Sequence, residues 1–326
     1  MRTGILGVGK YLPESVLTNA DLERMVDTTD EWITTRTGIK ERRIAAQTEA
    51  TSDMAVKAAR MALDRAGLSP SDIDLIIVAT ITPDMFFPST ACVVQDKLGA
   101  HGTPAFDIAV ACSGYIYGLA IADQFIKGGL YRNALVIAAE KLSSVTDWED
   151  RSTCVLFGDG AGAAVLGPVE EGGILGVNLG ADGSKGELLQ LPAGGSRMPA
   201  SIKTVENKLH TIKMEGNVLF KHAVKMMSDA AKGVTEPLGL KADDIDIIIP
   251  HQANVRILNA VAKKMGVDPD EKVYLNISKY GNMSAASSAV ALTEAVEEGR
   301  ISKGTKVLMD AFGGGLTWGA LVIEWS

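Results

Sequence analysis

The sequence predicts an α/β protein built from two copies of one unit, and three observations predict it. Residues 66–77 read A-G-L-S-P-S-D-I-D-L-I-I and residues 238–249 read L-G-L-K-A-D-D-I-D-I-I-I, an offset of 172 with seven of twelve positions identical. The composition is rich in Gly (34 residues) and apolar side chains (46%) but poor in aromatics (5%), which suits close-packed layers of helix and sheet. The length, 326 residues, matches about two units of ~150 residues each.

Each element follows from local pattern. Both copies show a helix closed by Gly, a polar turn with Asp, and a short β-branched run that reads as a buried strand. T-P-A-F-D-I-A-V-A (103–111) reads as a strand that runs into Cys112. The following S-G-Y-I-Y-G-L-A-I-A-D-Q-F-I-K reads as a helix closed by Gly128-Gly129. K-G-G-L-Y-R-N-A-L-V-I-A (127–138) and G-R-I-S-K-G-T-K-V-L-M-D (299–310) sit at the same offset, each a helix end, turn and strand. That offset also pairs Cys112 with Ser284. The Gly/Pro-rich stretch 180–200 keeps its own apolar residues and reads as an excursion from a compact body. D-I-D-I-I-I-P and V-Y-L-N-I-S read as strands, S-A-A-S-S-A-V-A-L-T-E-A-V-E-E as a helix, and K-V-L-M-D-A-F as a strand before three glycines. The expected halves are residues 1–172 and 173–326. No Pro/Ser-rich linker separates them, so a shared core with a site at their junction is expected.

Charge and cysteine usage narrow the function. Lys+Arg number 32 against Asp+Glu 40, a net charge of −8, which makes a poor general nucleic-acid binder. Three cysteines, Cys92, Cys112 and Cys154, with no C-x-x-C, argue against a disulfide framework or a cysteine zinc site and point to a reducing compartment. No His or carboxylate cluster suggests a metal. The N-terminal apolar run is too short for a signal peptide. The longest uncharged stretch, 108–122, falls short of the roughly 18 residues of a membrane span. A soluble cytoplasmic protein is expected, with no nucleic acid and no membrane as partner.

Four places can carry chemistry. A buried Cys is most often inert, and Cys92 and Cys154 fit that reading. Cys112 alone sits at a strand-to-helix elbow, where the helix dipole and free N–H groups favour the thiolate. His251 emerges from the C-terminal end of a buried strand, the edge at which α/β folds bind ligands. Asn282, in Y-G-N, reads in isolation as an ordinary turn residue. The small-residue helix after it permits close approach to the Cys112 helix. Gly313-Gly314-Gly315 allow backbone to approach a ligand, and an N–H there can serve an oxyanion hole. The early G-V-G-K lacks the third glycine of a dinucleotide fingerprint.

The ordered set D-E-W-I-T-T-R-T-G-I, A-C-S-G, H-Q-A-N, Y-G-N and G-G-G-L-T-W-G resembles β-ketoacyl-acyl-carrier-protein synthase III over the whole length, and none of these motifs is missing or substituted. The resemblance implies a thiolase-like fold, two duplicated halves packed as a five-layered αβαβα core with mixed sheets. It implies Cys112 as acyl-accepting nucleophile, His251 and Asn282 as its partners, and backbone N–H groups of Cys112 and Gly314 as the oxyanion hole. Trp32 and Arg151 would flank the coenzyme A adenine, with Arg36, Gly216, Phe220 and Asn254 along the pantetheine tunnel. Phe87 would close the acyl pocket of the neighbouring subunit in a homodimer. Lys221, Arg256, Lys263 and Lys264 would meet an acidic acyl carrier protein. The implied reaction condenses an acyl-CoA primer with malonyl-acyl-carrier-protein and uses no cofactor, coenzyme A entering only as a thioester substrate. A specialised polyketide-type condensing enzyme of the same fold stays open as an alternative. A degradative thiolase is disfavoured because neither other cysteine lies in the expected glycine-rich loop. An elongating enzyme is disfavoured because Asn282 takes the place of a second histidine. A non-catalytic acyl-binding protein would have no need of Cys, His and Asn together.

Overall fold

The computed structural model describes residues 2–326. Nine strands form two principal sheets. The first holds β1 (Arg2–Tyr11), β2 (Leu75–Ala79), β3 (Ala105–Ile108), β4 (Ala134–Lys141) and β5 (Asp159–Val169), in the order β1-β5-β4-β2-β3. The second holds β6 (Gly173–Ala181), β7 (Ile247–Pro250), β8 (Lys306–Gly313) and β9 (Thr317–Glu324), in the order β6-β9-β8-β7. Both are mixed. In the first sheet β2 runs parallel to β3 and β4, and in the second β7 runs parallel to β8; the remaining pairings are antiparallel.

Seven helices matter here, α1 for the site and the other six for the layers: α1 (Asp30–Thr37), α2 (Thr51–Ala66), α3 (Thr90–Leu98), α4 (Gly114–Lys127), α5 (Gly216–Thr235), α6 (Val255–Met265) and α7 (Ala286–Glu297). Helices α4 and α7 lie between the sheets and touch both; α2 and α3 cover the outer face of the first sheet, and α5 and α6 that of the second. The result is the five-layered αβαβα, thiolase-like arrangement. Strand β2 shows why short β-branched runs suit it. Leu75, Ile77 and Ala79 face the central core while Ile76 and Val78 face the outer one, so both sides of the strand are dry. The close central packing depends on small residues. A Cβ on Gly162 of β5 would fall 2.5 Å from Ala289 Cβ, so α7 seats on β5 only because residue 162 is Gly.

The repeat is visible as equivalent elements. β2 and β7 begin 172 residues apart, at Leu75 and Ile247. The register then slips by one. Leu75 pairs with Ala134 and Ile247 with Val307, so β4 and β8 correspond at 173. The elbows before the central helices follow the same slip: the residue with positive φ is Ala111 (44°) in one and Ser284 (48°) in the other. By backbone, Ser284 therefore matches Ala111 and Cys112 matches Ala285, which corrects the pairing of Cys112 with Ser284 read from the sequence offset.

A second reading also changes. V-Y-L-N-I-S does not form a strand; it makes a single bridge, Val273 to Ile248, and a short helix starts at Ile277. The Gln252 side chain supplies the partners a neighbouring strand would have given. It donates to Tyr274 O (3.1 Å) and accepts from the N–H groups of Asn276 (3.0 Å) and Ile277 (3.2 Å). The excursion after β6 folds back as a two-stranded ribbon, Leu189–Gln190 with Lys213–Met214, over the centre of the molecule.

Candidate active site

Four chain segments converge where the halves meet. Cys112 lies in the turn between β3 and α4 and is 8% exposed. The end of β8 passes directly over it: a Cβ on Gly313 would fall 2.6 Å from Cys112 N and 3.1 Å from Cys112 Cβ. This close backbone approach is the reason the position must be Gly. His251 follows β7, buried, and its backbone N–H donates to Asp310 O on β8 (2.8 Å). Asn282 is pinned between the halves. Its N–H donates to Leu156 O (2.8 Å) and its carbonyl accepts from Gly158 N (3.0 Å). Its side-chain Oδ1 accepts from Ser284 N (2.8 Å), which turns the amide NH2 away from that contact.

Two cavities meet at Cys112. One, about 130 Å³, is lined by Cys112, His251, Asn282 and Gly313 at its inner end and by Gly216, Phe220 and Asn254 further out. The other, about 290 Å³, is apolar and lined by Cys112, Ile81, Leu142, Phe157, Leu189 and Ile212, with Ser284 and Gly314 at its polar end. The structure thus brings Cys112, His251 and Asn282 to one cavity, and Gly314 to the other side of the same thiol.

The electrostatics differ from the elbow argument. Burial pushes the Cys112 thiol up to about 12, the nearby Glu140 carboxyl pushes in the same direction, and the Ser284 side chain pulls against them. Desolvation thus acts against the helix N-terminus, whose first residue is Gly114. Burial also lowers His251 to about 4, with a weak opposing contact from the Ser284 backbone, so the imidazole is neutral near pH 7.

The outer residues form a second cluster. Helix α1 is set by Thr29, whose hydroxyl accepts from Trp32 N (3.1 Å), and by Gly38 at φ 81°. That frame holds Trp32 near two cations, with Arg151 Cζ 5.2 Å and Arg36 Cζ 5.6 Å from its ring centre. Asn254 caps α6 and donates to Arg36 O (3.1 Å), tying this cluster to the smaller cavity. On the adjoining surface Arg256 lies over Phe220, Cζ 5.7 Å from the ring centre. Lys221, Lys263 and Lys264 are exposed on α5 and α6. Phe87 is far from Cys112 in character: it is 85% exposed, on the loop after β2, beside Phe86 at 80%.

Two residues at the site escaped sequence reasoning. Glu140, last but one in the strand A-L-V-I-A-A-E-K, is fully buried, and Ser284 holds the second elbow. A lone carboxylate closing an otherwise apolar run was the available signal for Glu140.

Comparison with known proteins agrees with this geometry. The family model for 3-oxoacyl-[acyl-carrier-protein] synthase III matches residues 106–183, and that for its C-terminal part matches residues 236–325. The chain is 63% identical over 324 residues to the β-ketoacyl-[acyl-carrier-protein] synthase III of Caldanaerobacter subterraneus subsp. tengcongensis, covering 99% of this chain and 98% of that one. It is 57% identical over 325 residues to the enzyme of Clostridioides difficile, covering 100% and 99%. Among solved structures, the 3-oxoacyl-[acyl-carrier-protein] synthase III of Aquifex aeolicus superposes with a TM-score of 0.92 at 53% identity, covering 99% of this chain and 100% of that one. The priming β-ketosynthase of the R1128 polyketide pathway superposes at 0.93 with 36% identity, covering 99% and 96%. The chain belongs to the β-ketoacyl-[acyl-carrier-protein] synthase III family.

Proposed function

We propose that this protein is an initiating condensing enzyme of type II fatty acid synthesis, joining an acyl-CoA primer to malonyl-acyl-carrier-protein. The observation that carries the reading is the junction of two cavities at Cys112, one edged by His251 and Asn282 and the other apolar. The primer thioester acylates Cys112 and coenzyme A leaves. Malonyl-carrier-protein then enters, and loss of CO2 generates the carbanion, so the reaction itself calls for no metal or organic cofactor. A neutral His251 and the Asn282 amide, oriented by Ser284 N, stabilise the enolate oxygen without carrying charge into a dry site. The N–H groups of Cys112 and Gly314 serve the tetrahedral oxyanion on the acyl-Cys112 carbon. Attack there gives 3-oxoacyl-carrier-protein.

The remaining assignments are supported by placement. Trp32 and Arg151, which approach each other, suit the two sides of an adenine, and Arg36, Gly216, Phe220 and Asn254 suit a pantetheine arm. Lys221, Arg256, Lys263 and Lys264 suit an acidic carrier protein. A homodimer is supported by β3, an edge strand of the first sheet, and by exposed Phe86 and Phe87 on the loop after β2. In that dimer Phe87 would reach the partner's acyl cavity. The division into 1–172 and 173–326 is supported by β5 lying in one sheet and β6, from Gly173, in the other. No helix among the described residues is long and apolar enough to cross a membrane. The reading places the enzyme in the cytoplasm, where thiols stay reduced. The similarity to a priming polyketide ketosynthase keeps a specialised pathway as the second reading. Intact mass after incubation with a panel of acyl-CoA primers tests the proposal: one acyl mass should appear, on Cys112, and an adduct on Cys92 or Cys154 instead would refute it.

A further inference from the structure

The proposed chemistry asks His251 and Asn282 to meet one oxygen, yet the two are anchored to different elements. The His251 N–H is held by Asp310 O on β8, and the backbone of Asn282 by Leu156 and Gly158 of the first half. No hydrogen bond among the described residues engages His251 Nδ1, so backbone and packing place the imidazole. What ties one donor to the other is the side chain beside His251. Gln252 is fully buried and spends all four of its hydrogen-bonding positions on backbone groups. Its Nε2 donates to Pro250 O (2.9 Å), just before His251, and to Tyr274 O (3.1 Å). Its Oε1 accepts from Asn276 N (3.0 Å) and Ile277 N (3.2 Å), where the short helix Ile277–Tyr280 begins. Only Gly281 separates the end of that helix from Asn282.

The central helix α7 holds the same short helix from the other side. Glu294, buried, accepts from Asn276 Nδ2 (3.0 Å) at its start and from Tyr280 Oη (2.6 Å) at its end, and Lys10 Nζ of β1 (3.0 Å) balances the charge. The turn after β7, the short helix and α7 thus form one braced unit, with His251 at one end and Asn282 at the other. We propose that Gln252 and Glu294 are positioning residues that set the spacing between His251 and Asn282, and with it the geometry of the enolate site. The inference rests on the condensing reaction proposed above. Neither residue lines either cavity at Cys112, so each acts through the two donors and touches no substrate.

The brace bears on one half-reaction. Acylation of Cys112 runs at the first elbow, with the N–H groups of Cys112 and Gly314, and no segment of the brace contains them. Loss of CO2 instead needs two donors converging on one enolate oxygen, and a misplacement of about 1 Å at a reacting centre can slow a reaction about 10²-fold. An apolar side chain in place of Gln252 takes the partner from four backbone groups, and the segments that carry them must shift to find others. At Glu294 the contacts can survive an amide. Glu294→Gln still accepts from Tyr280, and Asn276 Oδ1, which has no partner among the described residues, can turn to accept from the new NH2.

The test follows the two half-reactions separately: acyl-Cys112 formation from acetyl-CoA, by rapid quench and intact mass, and CO2 release from malonyl-acyl-carrier-protein by the acylated enzyme. Gln252→Met should lower kcat for CO2 release about 10-fold or more, with KM and the acylation rate within about threefold of the wild type. Glu294→Leu should show the same split and Glu294→Gln should restore most of the rate, a pair that decides the matter if Gln252→Met does not fold. In an Asn282→Ala background only one donor is left to position, so adding Gln252→Met should cost less than about threefold more. Equal losses in both half-reactions would overturn the proposal, since they would leave only a structural role, and so would wild-type CO2 release in Gln252→Met. A further loss of about 10-fold in the Asn282→Ala background would overturn it as well, because Gln252 would then act on something other than the spacing of the pair. A wild type that takes no acyl group on Cys112 and releases no CO2 would instead sink the condensing reaction itself, a distinguishable failure.

Discussion

The two elbows between the sheets share a backbone and differ in what faces them. Ala111-Cys112 and Ser284-Ala285 each place a non-glycine residue at positive φ, a conformation that costs about 1–2 kcal/mol and persists only when packing enforces it. Over the first elbow β8 ends in Gly313, which leaves backbone and empty space beside the sulfur. Over the second, β4 carries Glu140 as its last residue but one. At the ends of the parallel strands the asymmetry reverses: β2 finishes on Ala79, while His251 stands at the corresponding place after β7. On the proposed reaction the first half supplies the nucleophile, beside a buried carboxyl, and the second supplies the neutral donors. A duplication fixes where chain ends meet, and divergence at three or four of those ends turns the junction into a reaction site.

The strongest break of that comparison is at the first elbow. Cys112→Ala should abolish the acyl adduct altogether, with Cys154 staying unmodified because it is fully buried. An undiminished adduct in this variant would place the acyl group on another cysteine, the exposed Cys92 first, and would remove Cys112 from the role of nucleophile.

Next come the donors of the second half. In the proposed mechanism His251 and Asn282 act on charge developing during decarboxylation, so in His251→Ala and Asn282→Ala CO2 release from malonyl-carrier-protein should fall by about 10²-fold or more. Both variants should still accept some acyl group on Cys112. If Asn282→Ala released CO2 at the normal rate, the orienting bond from Ser284 N would be a structural contact and nothing more.

Much of this division is legible in the sequence, and the exceptions have physical causes. The repeat, the Cys112 elbow and the emergence of His251 from a buried strand are local patterns, so a linear reading finds them. The slip from 172 to 173 is not local: it is absorbed in the loop before the second elbow and shows only in strand register. V-Y-L-N-I-S has the residues of a strand, but Gln252, twenty-odd positions earlier, satisfies its backbone. The upward push that burial gives the Cys112 thiol is likewise a tertiary effect. A helix N-terminus can be read from sequence, whereas the apolar walls that desolvate Cys112 come from Leu142, Leu189 and Ile212, scattered along the chain.

The outer layers sharpen the comparison at smaller amplitude. On α2 and α3 the charges are mixed and paired, as in Lys97 with Asp53. On α5 and α6, Lys221, Arg256 and Lys263 have no carboxylate within salt-bridge distance among the described residues, and Lys264 reaches Asp229 only at 3.8 Å. On the proposed reading this face steers an acidic partner, an attraction that weakens with salt. Arg256→Glu or Lys263→Glu should raise KM for malonyl-carrier-protein several-fold and flatten its salt dependence, with a smaller change in acylation by acyl-CoA. Equal damage to both half-reactions would assign these residues to the tunnel or the fold.

The smallest expected effect concerns a second buried carboxyl. Where β4 carries Ile137 in the outer core, β8 carries Asp310, fully buried between Leu308 and Phe312 on the same face, with neither oxygen hydrogen-bonded. Glu140 has three donors; Asp310 has none, and burial alone raises it to about 7. The folded state therefore holds this proton more tightly than the unfolded chain, whose carboxyl titrates near its ordinary value of 3.8. Stability from this group is fully present below about pH 4 and is lost as pH rises towards 7. Asp310→Asn removes the ionisation while keeping the shape. The variant should match the wild type in thermal midpoint at pH 4 and exceed it above pH 7 by a few degrees, on the order expected for one uncompensated buried charge in a protein of this size. A difference that stays constant from pH 4 to pH 8 would show that Asp310 does not hold the proton, and that the second half, like the first, shelters its carboxyl with a donor.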